Sequence, residues 1–208
     1  MSYYRSSLNY KNIIECHLIM KNYINNYFEK VSKNFIDLKN QSGEISAAVN
    51  QIVSSIKSGN KIIFCGNGGS ASDAQHLATE LIGRYRNDRP SLPGIAITTD
   101  TSALTAIGND YGFDNIFSRQ LEGIGKSGDT LVAISTSGNS KNIIKAAQLA
   151  KDIGISVIGF TGKNESELSK ICNICVHAQD IKTNHIQEMH IATGQLICEL
   201  VEKEIFNT

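Results

Sequence analysis

Two short loops gather most of the side chains able to do chemistry. The first, Gly66-Asn67-Gly68-Gly69-Ser70, lies in FCGNGGSASDAQHLATEL between a short apolar run and a helical stretch. Its glycines let the backbone approach a ligand without interference from Cβ atoms, and the helix that follows turns unpaired N–H groups toward an anion. Further along that helix His76 and Glu80 stand at i and i+4, so they share one face. An imidazole and a carboxylate so placed fit three descriptions: polar groups delivered beside a ligand held in the loop, two ligands of a divalent metal, or a plain intrahelical contact on a solvated face. The second loop, Ser135-Thr136-Ser137-Gly138-Asn139-Ser140, puts four hydroxyls into six residues at the start of another helix. Such a cluster suits a phosphate monoester and is richer than helix capping alone requires.

Other chemistries find less support. Gly66 to Ala71 satisfies GxGxxA, but a dinucleotide site also wants an acidic residue about 20 positions on, at the next strand end, to hold a ribose. The acid at such a strand end is Asp100, well beyond that spacing. There is no GxxxxGK(S/T) stretch, so triphosphate hydrolysis has no basis and no nucleotide cofactor is expected. Cys172-Asn-Ile-Cys175 invites a redox or zinc reading, yet it is a single pair without a second pair at finger spacing and lies in KICNICVHA, which reads as a strand. Structural filling is the expectation for it.

The elements that must position these groups follow from periodicity. Apolar residues at Ile13, Ile14, Leu18, Tyr23, Tyr27, Val31, Phe35 and Leu38 predict a helix over 10–38. A second helix opens at Ser42, carries Ile45, Val49, Ile52, Val53 and Ile56 on one face, and stops at Gly59. From residue 61 short apolar runs at 61–65, 94–98, 130–135, 156–160 and 174–178 alternate with helical stretches. That alternation predicts an α/β fold, a parallel sheet covered by helices on both faces. One long helix closes the chain, with Ile186, Met189, Thr193, Leu196, Ile197, Leu200 and Val201 at helical spacing. The expected organisation is a single domain over 1–208: helices in 1–58, an α/β core in 59–182 and a terminal helix in 183–208. The outer helices either cover their own sheet or offer apolar surface for subunit packing.

With 208 residues the chain can bury one sizeable core. Twenty basic and twenty acidic residues cancel, so no electrostatic footprint points to nucleic acid or to an anionic membrane. The opening MSYYRSSLNYKN is polar, no apolar run approaches the ~18 residues of a membrane span, and the five cysteines are scattered. A cytoplasmic protein with reduced thiols and a small-molecule or protein partner is expected.

ISTSGNS at 134–140, with CGNGGSASDAQH, GRYRNDRPS, TAIGNDYGFDNIFSRQ and IQEMH, resembles the sugar isomerase (SIS) domain of phosphoheptose isomerases over nearly the whole chain. The resemblance implies a doubly wound five-stranded parallel sheet with an N-terminal helical arm and a long C-terminal helix, and a homotetramer with active sites at subunit interfaces. It implies interconversion of sedoheptulose 7-phosphate and glycero-manno-heptose 7-phosphate, a step toward lipopolysaccharide or capsule heptose. Position by position, Ser135, Thr136, Ser137 and Ser140 would hold the phosphate. Asn67, Gly68, Gly69, Asn109, Asp110 and Gln187 would line the sugar, Arg84 would contact it, and Glu80 would move the proton between C1 and C2. A zinc ion is implied at His76, Glu80 and Gln187. Ketose–aldose isomerisation through an enediol asks independently for a base at carbon and polar groups around the oxygens.

Two positions depart from that pattern. The family's histidine eight residues after the glutamine is Gln195 here, which cannot take a proton near neutral pH. His190 stands too near Gln187 to replace it. The family's Asp-Arg pair is Asn184-His185, and His185 offers another imidazole. A neighbouring SIS branch, regulators that bind the replication initiator DnaA, shares IQEMH and the serine loop but lacks the glutamate kept here as Glu80. Isomerase is therefore the first expectation, and a non-catalytic phosphosugar-binding regulator the alternative.

Overall fold

The computed structural model describes residues 10–207, with side chains from residue 17 onward. The polar opening segment 1–9, and the side chains of Ile13, Ile14 and Cys16, lie outside the described residues. Helix α1 (Tyr10–Asp37) and helix α2 (Ser42–Lys57) come first, joined by a tight helical turn at Leu38–Gln41. Strands β1 (Ile62–Gly66), β2 (Gly94–Ala96), β3 (Thr130–Ile134), β4 (Ser156–Thr161) and β5 (Ile174–His177) follow, each close to its predicted apolar run. Between them lie α3 (Gly69–Ile82), α4 (Thr101–Tyr111), α5 (Ser118–Ile124), α6 (Lys141–Asp152) and α7 (Glu167–Ile171), and α8 (Thr183–Phe206) ends the chain.

The five strands are all parallel in the order β2-β1-β3-β4-β5. From β1 the chain turns one way to β2, and from β3 it turns the other way to β4. That reversal opens a crevice outside the carboxyl ends of β1 and β3, where α/β sheets bind ligands. Both loops rich in chemistry leave the sheet there.

Strands β1 and β3 are buried along their whole length, so their side chains alternate between two cores rather than between core and water. Ile62, Phe64, Val132, Ile134, Ile158 and Phe160 meet α2, α3 and α8 on one face. Ile63, Cys65, Leu131, Ala133 and Val157 meet α5, α6 and α7 on the other. Each buried Leu, Ile or Phe contributes roughly 1.5–3 kcal/mol through removal of apolar surface from water.

Helix α8 lies against α3 closely enough that a Cβ on Gly194 would come within 2.5 Å of Leu77 Cδ1. At its far end Glu202 and Arg89, each 3% exposed, form an ion pair at 2.9 Å. Glu202 also accepts the backbone N–H groups of Tyr85, Arg86 and Asn87, and Arg89 donates to the carbonyls of Glu80 and Leu81. One buried pair thus ties α8, the 83–89 loop and the last turn of α3 together. Helix α1 is pinned near the start of α8 by Lys30 and Asn34, which donate to Asp180 at 3.0 and 2.8 Å. It leaves Leu18, Ile19, Met20, Tyr23, Ile24 and Phe28 exposed. Among the described residues no helix is long and apolar enough to cross a membrane.

Candidate active site

The loop after β1 starts α3 by means of Gly68, whose φ of 54° is a conformation that favours glycine. Asn67 is fixed from the other loop. Its Nδ2 donates to Asn142 Oδ1 at 2.9 Å, and Asn142 Nδ2 returns a bond to Asn67 Oδ1 at 2.8 Å. Gly69 makes room for Gln187, because a Cβ there would stand 2.4 Å from Gln187 Nε2. Beside this loop a crevice of about 490 Å³ is lined by Gly66, Asn67, Gly68, Thr98, Leu104 and Phe113.

The serine loop is folded on itself. Gly138 N–H donates to both the carbonyl and the hydroxyl of Ser135, and Asn139 N–H to the Ser137 hydroxyl at 3.1 Å. Ser140 is the N-cap of α6 but its hydroxyl makes no capping bond; it accepts from the Ser135 hydroxyl at 3.2 Å. Capping therefore does not account for these hydroxyls. Ser135 is buried, Thr136 and Ser140 are half-buried, and Ser137 is exposed, a gradient from anchored base to accessible rim. Helix α7 braces the loop from behind. Leu168 N–H donates to Gly138 O at 3.0 Å and Glu167 N–H to Asn139 Oδ1 at 3.1 Å.

On α3, His76 Nε2 meets Glu80 Oε1 at 3.0 Å, with the imidazole 48% exposed and the carboxylate 19%. The α8 side chain beside them is Gln195, whose Nε2 is 3.4 Å from His76 Nε2. Gln187 stands at the other end of α3, over Gly69, and His76 lies seven positions after Gly69 in the helix, roughly 10 Å of rise. Within one chain the structure therefore gathers His76, Glu80 and Gln195 at one point and Gln187 with the glycine loop at another.

The other imidazoles of α8 are engaged elsewhere. His185 is buried, bonded through Nδ1 to Glu188 Oε2 at 3.0 Å and packed 5.0 Å from the Tyr27 ring. It is ten residues from Gln195, about 15 Å along the helix. His190 packs on Phe160 and its Nε2 donates to Thr161 O at 3.0 Å; burial holds its pKa down at about 4, so it is neutral. Arg84, Asn109 and Asp110 are exposed, the last two bonded to each other at 2.8 Å. Asn142, Arg89 and Glu202 were not singled out by the sequence. The signal available was a polar residue inside the apolar face NIIKAAQLA and an arginine in GRYRNDRPS, neither of which names its partner.

A hydroxyl-lined helix start and a glycine loop at the switch point suit a phosphorylated small molecule, and a carboxylate beside an imidazole further along α3 suits proton transfer. Known proteins resemble the chain over nearly its whole length. The chain is 50% identical to the phosphoheptose isomerase of Akkermansia muciniphila over 187 residues, 90% of this chain and 99% of that one. Among solved structures, phosphoheptose isomerase from Neisseria gonorrhoeae superposes with a TM-score of 0.83 at 36% identity, covering 88% of this chain and 99% of its own. The Francisella tularensis phosphoheptose isomerase gives 0.85 at 34% identity, covering 88% and 98%. The SIS domain profile matches residues 26–162, so the chain belongs to the SIS-domain family.

Proposed function

We infer that the chain is a phosphoheptose isomerase, interconverting sedoheptulose 7-phosphate and glycero-manno-heptose 7-phosphate. The observation that carries this reading is half-identity, over nearly the full length of both chains, to proteins of that name, in a chain that keeps both Glu80 and the serine loop. Ser135, Thr136, Ser137 and Ser140 take the phosphate, with the N-terminus of α6 adding partial positive charge. Asn67, Gly68, Gly69 and Gln187 border the sugar. Glu80, which one chain holds away from its own glycine loop and which a neighbouring subunit of the tetramer would bring to the sugar, lifts the C1 proton, holds it through the enediol, and returns it at C2. His76, bonded to that carboxylate, moves the hydroxyl proton between the two oxygens. Gln195 contributes hydrogen bonds only.

Zinc is a separate matter. His76 and Glu80 offer two strong donors, and Gln195 brings a carboxamide where a third would stand. Among the described residues no group of three or more His, Cys, Asp or Glu side chains could hold a metal. Structural zinc takes four ligands and catalytic zinc three, drawn from Cys, His and carboxylate. The donors of one chain do not complete such a site, and no step above passes through a metal.

Assembly into a homotetramer belongs to the same proposal. It is supported by the exposed apolar row on α1 and by an apolar groove of about 690 Å³ that Phe35, Leu38, Val49, Leu196 and Leu200 help to line. The test of function is incubation with sedoheptulose 7-phosphate, with a chelator-treated control, and detection of the aldose. Aldose formation supports the isomerase. Tight phosphosugar binding without turnover, together with capture of the initiator DnaA, would favour the regulator instead.

A further inference from the structure

Cys172 ends α7 and Cys175 lies in β5, and both are half-buried free thiols. What brings them together is Gly159. It pairs with Cys175 across the β4–β5 ladder, and a Cβ on it would stand 3.0 Å from Cys172 Sγ. The missing side chain is the space into which Cys172 leans, beside the strand position where Cys175 pairs with Gly159. Polar groups surround Cys175 on the same face. Thr161 Oγ1 lies 3.6 Å from its sulfur and 3.0 Å from His177 Nδ1, and His177 follows two residues later in β5.

We propose that Cys172 and Cys175 are a redox-active dithiol, a modification site whose co-reactant is a small-molecule disulfide. Cys175 is the attacking sulfur. The neighbouring Cys172 thiol lowers its pKa most, with Thr161 and His177 adding to that, whereas the Cys172 thiol is pushed up by Cys175 and by burial. A lower pKa puts more of a thiol in its reactive form. The Cys175 thiolate attacks one sulfur of RSSR and expels RS⁻, leaving a mixed disulfide. Cys172 then attacks the Cys175 sulfur, loses its proton, and expels the second RS⁻. Two electrons pass from the protein sulfurs to the small disulfide, and the protein's two thiol protons end on two RSH. A structural metal is the weaker use, since no third ligand of the His, Cys, Asp or Glu type completes a site among the described residues.

The position gives the bond a consequence. Helix α7 is five residues long, with Cys172 at its C-cap and, at its other end, the N–H groups that hold Gly138 and Asn139 of the serine loop. Joining Cys172 to Cys175 draws the end of α7 toward β5, and its start bears on the loop. This part rests on reading that loop as the phosphate site. It predicts weaker phosphosugar binding in the oxidised protein, by severalfold.

The full-length protein is equilibrated in glutathione buffers from fully reduced to fully oxidised, alkylated, and digested with trypsin. The peptide spanning residues 171–182 contains both cysteines. It is expected to appear lighter by two hydrogens, unalkylated until reduced, while Cys172→Ser accumulates a stable glutathione adduct on Cys175. Finding the wild-type peptide doubly alkylated at every poise, or carrying glutathione without an internal bond, overturns the proposal. Calorimetry with sedoheptulose 7-phosphate on the reduced and oxidised forms tests the link to the loop. Equal affinities overturn that link, and absence of binding to the reduced protein overturns the phosphate-site reading itself, leaving the dithiol result untouched.

Discussion

Asn67 and Asn142 exchange two amide hydrogen bonds at 2.9 and 2.8 Å, and this pair locks the loop after β1 to the first turn of α6. Each loop bears one half of the proposed site, so on that proposal the pair sets the distance between sugar and phosphate. Asn142 is 2% exposed, and its Oδ1 also accepts Ile143 N–H, which leaves it no freedom to rotate. Truncating Asn142 to alanine removes both bonds from half-buried Asn67, at about 0.5–1.5 kcal/mol net for each hydrogen bond. The expected result is a lower unfolding midpoint and a raised KM for the phosphosugar. An unchanged KM would separate the pair from the site.

The pairing of these residues was not legible in the sequence, whereas the loops were. Hydroxyl density in STSGNS and glycine density in GNGGS are local properties, and the apolar runs that became strands are local too. Asn67 and Asn142 are 75 residues apart, and they meet only because β1 and β3 are neighbours in the sheet. The same holds for Arg89 and Glu202, 113 residues apart, each an ordinary surface charge until α8 folds across α3. Gln195 was legible as a departure. That it, rather than Gln187, stands beside His76 depends on where α8 crosses α3, and Gly194 sets that crossing. The Cys172–Cys175 pair reads as filling, and Cys172 does occupy the space beside Gly159, but nothing in KICNICVHA shows that Gly159 sets it next to the strand position of Cys175.

Replacing both Ser137 and Ser140 by alanine removes two hydroxyls from the accessible rim of the serine loop. A hydrogen bond to a charged group contributes about 1.5–3 kcal/mol, so phosphosugar affinity should fall by a few kcal/mol in calorimetry. Neither hydroxyl caps α6, so the melting temperature should move little.

Glu202 is one acid-sensitive link of the fold. Burial disfavours its charge, but the Asn87 N–H, the Arg89 guanidinium and the N–H groups of Tyr85 and Arg86 outweigh that and hold its pKa down at about 2. A depressed carboxylate stabilises the fold above its unfolded pKa, near 4.3, and that contribution is lost as pH falls through about 2. Denaturant melts should show a larger loss between about pH 4 and pH 2 in the wild type than in Glu202→Gln, where Asp180, also held low, against its burial, by backbone N–H groups, Lys30 and Asn34, still contributes. Glu202→Ala strands buried Arg89, at about 3–5 kcal/mol near neutral pH. Because Arg89 holds the Glu80 carbonyl, kcat should suffer as well.

Adding one methyl group at Gly194 tests how α8 is seated. A Cβ there would stand 2.5 Å from Leu77 Cδ1 and 2.6 Å from Cδ2, both in a packed core. Gly194→Ala should cost about 1–3 kcal/mol through overpacking, although alanine is the better helix former. The displacement would also move Gln195 away from His76, so crystallography of the variant should show that 3.4 Å contact lengthened.

The sharpest test of the chemistry lies in Glu80 and Gln195. If Glu80 moves the carbon-bound proton, Glu80→Gln keeps the size and the hydrogen bond to His76 but removes the base. Turnover should drop by about 10²- to 10⁴-fold, the usual worth of a positioned acid or base, with the melting temperature nearly unchanged. Gln195 touches His76 but cannot accept a proton, so the wild type works with one titratable partner where two imidazoles would fit. Gln195→His supplies the second and should raise turnover. It also turns the pair of strong donors into three, so zinc affinity should rise in the same variant, measured by equilibrium dialysis independently of activity. Should Glu80→Gln leave the rate unchanged while Gln195→His gains nothing, the proton must travel through groups other than this cluster, and the assignment of Glu80 falls.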